Sequence, residues 1–167
     1  MSRGFVREED QEEIPMVPQR AFLPEGVANF VTPEGMDELL AEKQTLMKEK
    51  ENTDFTSENE TRIALNFINA RLKLLDERIA GARIIDPKDQ PALEIRFGAT
   101  VTLKSSESDQ TQRFKIVGVD EADISKGKIS FISPLARQLI NKKAGETIHL
   151  KTDMKDVIYE ITDIAYS

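Results

Sequence analysis

The sequence predicts an α+β protein in which an N-terminal antiparallel helical hairpin precedes an antiparallel sheet carrying one helix. Three observations predict this class. Apolar residues recur at alternating spacings of three and four over residues 65–82. Two prolines in "DPKDQP", residues 86–91, end that periodicity. Beyond residue 93, apolar and polar residues alternate, which is typical of strands.

The segment "TPEGMDELLAEKQTLMKEKEN" predicts the first helix. Thr32 is a candidate N-cap, Pro33 suits the first helical position, and Glu34 suits the first turn. An amphipathic stripe follows, with Lys43 on its seam. Its apolar members are Met36, Leu39, Leu40, Leu46 and Met47.

The second helix has the stronger pattern. Ser57 and Glu60 form an S-x-x-E capping box before it. Its seam comprises Leu65, Ile68, Leu72, Leu75, Ile79 and Ala82, and its flanking row comprises Ile63, Phe67, Ala70 and Leu74. Two amphipathic segments joined by a short polar turn predict a projecting antiparallel coiled coil over residues 32–86, with an acidic tip at 53–59.

The N-terminal extension covers residues 1–31. Residues 1–14 are charged and lack an apolar pattern, which predicts disorder. Residues 15–31 contain three prolines and scattered apolar side chains, so we expect an extended strap packed along another element. The flanking row of the second helix is the surface that this strap could cover.

Residues 92–167 form the predicted C-terminal globular domain. Five strand-like segments lie at 93–104, 112–119, 126–132, 146–152 and 157–166. One helix interrupts them in "SPLARQLINKKAG": Ser133 is its candidate cap, Pro134 its first residue, and Lys142 and Lys143 lie near its end, before Gly145.

Composition excludes several kinds of chemistry. The chain has no cysteine, which removes disulfides, thiol nucleophiles and cysteine-based zinc sites. His149 is the single histidine and lies in a predicted strand. The chain therefore offers only one candidate base for a serine–histidine catalytic site, and we expect a structural or surface role for it. The start has no signal-peptide core and no apolar run has membrane-spanning length, which predicts a cytoplasmic protein with no membrane partner.

The net charge of −7 and pI near 4.9 disfavour a general nucleic-acid coat. A local basic patch stays open. Its candidates are four arginines of the second helical segment, most of which we expect on a solvated face: Arg62, Arg71, Arg78 and Arg83.

The turn "ENTDFTSENETR" raises a further question. Asp54 and Glu58 offer hard oxygen ligands of the kind that Mg²⁺ prefers. Two carboxylates on a short turn cannot close a metal cage, but they can complete a site whose other ligands come from a partner. The plain alternative is a solvated polar turn.

The C-terminal half is similar to the Gre-type transcript cleavage factors of bacteria (GreA/GreB). The resemblance is carried by "GARIIDP", "FGATVTL", "FKIVGVDEADISKGKISFISPLARQLINKKAGETI" and "YEITDIAY". "VTPEGMDELLAE" resembles the start of the family's first helix, and "DFTSEN" resembles its D-L-x-E-N tip. The resemblance covers roughly residues 31–167.

This resemblance implies a coiled coil joined to an FKBP-like domain that docks at the secondary channel of RNA polymerase. It implies a monomer acting in transcription, with RNA polymerase binding and DNA binding. The coiled coil would enter the channel, where its tip acids help hold a Mg²⁺ shared with the polymerase active site. Cleavage at the 3′ end of backtracked nascent RNA would follow by two-metal hydrolysis. The isolated protein would bind no cofactor and would not itself be an enzyme.

Carried over by position, the resemblance assigns the catalytic and metal-holding roles to Asp54 and Glu58. Phe55 takes the apolar tip position and Asn59 follows the second acid. Glu60 is a competing assignment for that second acid, although its capping role is simpler.

For docking to polymerase, the resemblance is densest in the "DEADISKGKIS" loop and at the start of the following helix. It therefore assigns polymerase contacts to Asp120, Glu121, Asp123, Ser133 and Pro134. The alternative is that these residues maintain the fold.

Two departures from the family pattern keep other functions open. The acids are spaced D-x-x-x-E where the family has D-x-x-E, and the hairpin is shorter by roughly two heptads, which removes about 10 Å of reach. A Gre-fold regulator that occupies the channel without cleavage is therefore one alternative. Prolyl isomerisation, suggested by an FKBP-like fold, is another, but the C-terminal half offers few aromatics for its pocket.

Overall fold

The computed structural model describes residues 15–151 and 153–167, so the disorder predicted for residues 1–14 lies outside the described residues. In chain order the elements are β1 (Asn29–Val31), α1 (Pro33–Glu51), α2 (Glu58–Ala80), β2 (Ala82–Ile84), β3 (Thr100–Ser105), β4 (Thr111–Val117), β5 (Lys128–Ser130), α3 (Pro134–Leu139), β6 (Thr147–Lys151) and β7 (Asp156–Ala165). Short 3-10 helices occupy Pro87–Asp89 and Ile124–Lys126. No helix in these two ranges is long and apolar enough to cross a bilayer.

Helices α1 and α2, which we call the helix pair, begin where the sequence predicts. The hydroxyl of Thr32 accepts a hydrogen bond from the backbone N–H of Gly35 at 2.9 Å, with Pro33 as the first residue of α1. The hydroxyl of Ser57 accepts from the backbone N–H of Glu60 at 3.4 Å. Each cap satisfies a donor that the first turn leaves unpaired.

One apolar cluster holds the helix pair together. Its buried members are Val31, Leu39, Leu46, Ile68, Leu72 and Leu75. Beside this cluster, the ammonium group of Lys43 lies 2.8 Å from the carboxylate of Asp76, so the charged position in the α1 stripe has a partner on α2. The centre of the predicted α2 seam is therefore confirmed, whereas Ala82 at its end belongs to β2.

Residues 29–31 of the predicted strap form β1, so the name strap is restricted here to residues 15–28. The strap contains no helix or strand and reaches only part of the flanking row of α2. Its residues 18–21 share a cavity wall with Leu74. Ile63 and Phe67 are 58% and 36% exposed, because these positions lie towards the far end of the helix pair. The expected cover is thus limited to the base of α2.

The five-stranded sheet has the order β5-β4-β3-β7-β6 and is mixed. Three of its strand pairs are antiparallel, but β4 and β5 are parallel, so the prediction of a wholly antiparallel sheet was wrong at this edge. The physical reason is the connection, which turns back through residues 118–127 and delivers β5 in the direction of β4. This loop carries three of the residues to which the resemblance assigns docking.

Three C-terminal elements are shorter than predicted, and one of them is β5, which covers only Lys128–Ser130 of the strand predicted at 126–132. Strand β3 begins at Thr100, and the apolar alternation before it places Ile95 and Phe97 in the core from irregular backbone. Helix α3 ends at Leu139, before Lys142 and Lys143, because Asn141 adopts a positive φ of 75° and its N–H donates to the Ile95 carbonyl at 2.8 Å. The chain pairs with residue 95 there instead of continuing the helix.

An unpredicted parallel pair joins the helix pair to the sheet. Strand β1 pairs with β2, from Asn29 opposite Ala82 to Val31 opposite Ile84. The ring of Phe30 packs against Phe97 and Phe131 in the sheet core, with centroid distances of 5.9 and 5.5 Å. A side chain at Gly118 would lie 2.6 Å from the Phe30 carbonyl oxygen, so this close approach requires glycine.

Candidate functional site

The turn between α1 and α2 is held by a threonine from the first turn of α2. The Thr61 hydroxyl accepts from the backbone N–H of Phe55 at 3.1 Å and donates to the Ser57 carbonyl at 3.0 Å. On the other side, the Thr53 hydroxyl donates to the Glu49 carbonyl at 2.6 Å and closes the end of α1. The apex therefore has a defined backbone path between the two helices.

Asp54 and Glu58 line one shallow groove at this tip, together with Phe55, Thr61 and Arg62. Both acids are exposed, and neither carboxylate has a hydrogen-bond or ion-pair partner among the residues that the structure covers. Asp54 lies on the turn, whereas Glu58 is the first residue of α2. The two acids thus belong to different local structures that face one groove.

The predicted supporting residues surround these acids. Phe55 is 51% exposed, so its ring lies largely in solvent. The side-chain oxygen of Asn59 accepts from the Arg62 guanidinium at 2.8 Å, which gives Arg62 a local partner. Glu60 is exposed, and its backbone N–H binds the Ser57 hydroxyl, as a capping position requires.

The tip offers oxygen ligands but an incomplete metal site. Carboxylates suit Mg²⁺, which usually binds to one or two of them and keeps its remaining positions for water or phosphate. Over residues 15–151 and 153–167, no cluster of three or more histidine, aspartate or glutamate side chains could hold a metal. Asp54 and Glu58 therefore fit a shared site and require ligands from elsewhere.

A second pair of acids lies at the opposite end of the helix pair. Asp120, in the loop after β4, accepts from Nε of Arg20 at 3.1 Å and lies 3.5 Å from the Arg78 guanidinium. The longer contact is an ion pair without hydrogen-bond geometry, since the two atoms involved have no hydrogen-bond partner. The Asp120 side chain is only 9% exposed. This arrangement contradicts the expectation that Arg78 belongs to a solvated basic face.

Glu121 is buried more deeply, with 3% of its side chain exposed. Its carboxylate accepts a hydrogen bond from the Thr32 hydroxyl at 2.6 Å and lies 3.7 Å from the Lys128 ammonium group. A side chain at Gly35 would lie 2.7 Å from one Glu121 carboxylate oxygen, which places this carboxylate at the N-terminus of α1. A negative charge is favourable there.

The other predicted docking residues shape local backbone. The Asp123 carboxylate accepts from the Ser125 hydroxyl at 2.6 Å and from its N–H at 3.0 Å, and the hydroxyl hydrogen bond is the main reason that the pKa of Asp123 is lowered. Ser133 caps α3 by accepting from the Ala136 N–H at 3.2 Å, and Pro134 is exposed. A docking role for this group stays a prediction.

Sequence reasoning missed Arg20 and the junction role of Arg78. Arg20 lies 100 positions from Asp120, and no periodic pattern relates the two. Thr32 was identified as a cap, but its second partner, Glu121, is 89 positions away. Such contacts depend on how the strap, the helix pair and the sheet meet.

Comparisons with known proteins decide the family. A family model described as "Transcription elongation factor, GreA/GreB, C-term" matches residues 90–166. Transcription elongation factor GreA of Hyphomonas neptunium is 37% identical over 116 residues, which cover 70% of this chain and 72% of that protein. GreA of Pseudomonas aeruginosa is 35% identical over 132 residues, which cover 78% of this chain and 82% of that protein.

The chain belongs to the GreA/GreB family of transcription elongation factors. This assignment depends on the sequence relatives. A solved structure of a prokaryotic GreA/GreB factor from Nitrosomonas europaea aligns with a TM-score of 0.44 at 17% identity, over 83% of this chain and 99% of that one. The matched family model covers the sheet and α3 of this Gre-type factor, and the tip acids lie outside its range.

Proposed function

We propose that this Gre-type elongation factor binds RNA polymerase at its secondary channel and stimulates cleavage of backtracked RNA. Asp54 and Glu58 supply carboxylates to a Mg²⁺ held jointly with the polymerase. One observation carries the proposal: both acids are exposed and unpartnered within the described ranges, and they line one groove at the tip of the helix pair. The protein acts as a monomer in the cytoplasm and leaves the nuclease chemistry to the polymerase.

The fold supports this reading through its shape. With 23 residues, α2 is about 35 Å long, so the tip lies far from the five-stranded sheet. We infer that the helix pair is an antiparallel coiled coil and that the sheet with α3 is FKBP-like. The sheet region would dock on the polymerase surface while the helix pair reaches into the channel.

The residues of this chain have defined tasks in the proposed mechanism. Asp54 and Glu58 bind the shared cation, and Thr61 fixes the backbone that carries Asp54 and Phe55. When bound, Mg²⁺ supplies a Lewis acid and lowers the pKa of a water ligand. Phe55 presents an apolar surface between the two acids and displaces water from the approach of the tip.

The test uses RNA polymerase stalled in a backtracked complex with Mg²⁺. We expect wild-type protein to release short 3′ RNA fragments, and we expect D54A and E58A each to lower the cleavage rate by at least tenfold. E51A is the matched control, since Glu51 is an exposed acid at the end of α1 and lies outside the tip groove. Unchanged cleavage with both tip variants would overturn the proposal.

A second function, channel occupancy without cleavage, is favoured by the placement of the acids. Glu58 is already helical while Asp54 lies on the turn, and three residues lie between them. If this spacing keeps them from one cation, the protein will bind polymerase and compete with a cleavage-competent factor. Saturable binding with no fragment release would establish this alternative.

Isomerisation has weaker support. Two aromatics that such a pocket would need, Phe97 and Phe131, pack edge-on in the core at a centroid distance of 5.7 Å. Phe30 packs against both rings from β1. These side chains serve packing, and we propose no isomerase activity.

A further inference from the structure

We propose that the strap is a latch that fixes the direction in which the helix pair leaves the sheet, with Arg20 as its positioning residue. The latch sets the angle between the helix pair and the five-stranded sheet. The latch acts without polymerase, although its consequence for cleavage rests on the proposed function.

Arg20 joins two parts of the fold through one side chain. Its Nη1 lies 2.7 Å from the carboxylate of Glu42 on α1, and its Nε donates to the carboxylate of Asp120 at 3.1 Å. Asp120 belongs to the loop that follows β4 in the sheet. A planar guanidinium has donors in fixed directions, so holding both acids at once restricts how α1 can tilt.

Arg78 ties the strap to the second helix at the same place. Its guanidinium donates to the Ala21 carbonyl of the strap and pairs with Asp120 at 3.5 Å. The side chains of Arg20 and Arg78 are 19% and 15% exposed, so solvent screens the network only in part. Two helices and one sheet loop therefore meet through the strap.

Other contacts attach the helix pair without controlling its tilt in the same way. The Thr32–Glu121 hydrogen bond and the packing of Phe30 lie at the very start of α1 and just before it. Glu42 lies further along α1, about 14 Å from the start of the helix at 1.5 Å per residue. A brace at that distance resists rotation better than a contact at the pivot.

Small rotations at the base matter because the helix pair is a long lever. A tilt of 10° would move a tip about 35 Å away by about 6 Å. Metal-binding groups require placement within about 0.5 Å. A factor that lends carboxylates to another protein's site therefore gains from a fixed exit direction.

The experiment measures the distance from the tip to the sheet by pulsed electron–electron double resonance between two spin labels. The chain has no cysteine, so T56C at the exposed apex and H149C on the exposed face of β6 introduce a unique pair of spin labels. The variants are R20A and E42Q, with R83A as the control, because Arg83 is an exposed arginine whose side chain makes no hydrogen bond or ion pair in the described structure. Circular dichroism verifies that each variant is folded.

We expect a single narrow distance distribution in the wild type and in R83A. R20A should widen it about two-fold or shift its centre by several ångströms, and E42Q should act in the same direction. Raising the salt concentration should widen the wild-type distribution towards that of R20A, since ion pairs are screened.

An unchanged distribution in folded R20A would overturn the latch, whatever the result of the cleavage assay. A gain in polymerase affinity for R20A would also overturn it, because the strap would then be a cover over Asp120. Loss of cleavage in D54A with an unchanged distance in R20A would separate the two proposals, leaving the proposed function intact and the latch rejected.

Discussion

The two ends of the helix pair carry acidic residues in opposite environments. At the tip, Asp54 and Glu58 are exposed and have no partner in the described structure. At the base, Asp120 and Glu121 are nearly buried and bind arginine, threonine and lysine side chains. The sequence reading assigned function to both groups, so residue type alone did not distinguish them.

A carboxylate is available to a partner only where its own fold leaves it unpaired. Breaking a buried ion pair leaves an uncompensated charge, which costs several kcal/mol in typical cases. A polymerase contact through Asp120 or Glu121 would have to displace such partners. The tip acids would exchange only water for a new ligand.

Apolar packing should follow the same division between base and tip. Leu75 is fully buried between the helices, so L75A should lower the free energy of unfolding by about 3 kcal/mol. Ile63 is 58% exposed near the tip, and I63A should change the free energy of unfolding by less than about 0.5 kcal/mol. Urea unfolding followed by circular dichroism measures both, and equal effects would contradict the division.

The Glu121 carboxylate should be structural. E121A leaves the buried Thr32 hydroxyl without its acceptor and should cost about 2 kcal/mol of unfolding free energy. E121Q keeps an oxygen acceptor and should cost less. The control is E51A, an exposed acid with no partner in the described structure, which should be neutral. A stable E121A variant with impaired polymerase binding would instead support the docking role.

Thr61 should affect the tip more than the fold. T61V removes the acceptor for the Phe55 N–H and should lower stability by less than about 1 kcal/mol. Cleavage stimulation should fall several-fold at a given Mg²⁺ concentration, with polymerase affinity unchanged, and T61S should restore it. Equal losses in T61V and T61S would argue against a hydrogen-bond role.

The smallest effect concerns acid pH. Hydrogen bonds from Ser125 lower the pKa of Asp123 in the folded state, so this group stabilises the fold above its unfolded pKa of about 3.9. That contribution is lost as pH falls through the lowered folded pKa. NMR titration should show the Asp123 pKa rising in S125A, and an unmoved pKa would contradict the assignment of Ser125 as its cause.

Local signals made much of the fold predictable. Thr32, Ser57 and Ser133 were identified as caps because capping depends on residues within one turn of helix. The α2 seam was identified because burial repeats with helical period. The parallel β1–β2 and β4–β5 pairs were not predicted, since their alignment depends on how distant segments meet.

The candidate site also has a part that local sequence predicts and a part that depends on tertiary contacts. The acidic turn could be recognised from contiguous residues. Whether its acids have hydrogen-bond or ion-pair partners could not be predicted from those residues. Arg20 gave no sequence signal, because its role arises only where the strap crosses α1 beside the sheet loop. Contacts across 100 positions are set by tertiary structure, which a single sequence does not display.

Removing two charges from the tip and two from the base should have opposite consequences. D54N/E58Q and D120N/E121Q remove the same charges from the two ends of the helix pair. We predict that the tip variant unfolds at the wild-type urea midpoint and loses at least tenfold in cleavage rate on backtracked complexes. We predict that the base variant unfolds at a lower midpoint and, where folded, cleaves far better than the tip variant. A tip variant that cleaves normally, or a base variant of full stability, would contradict the account.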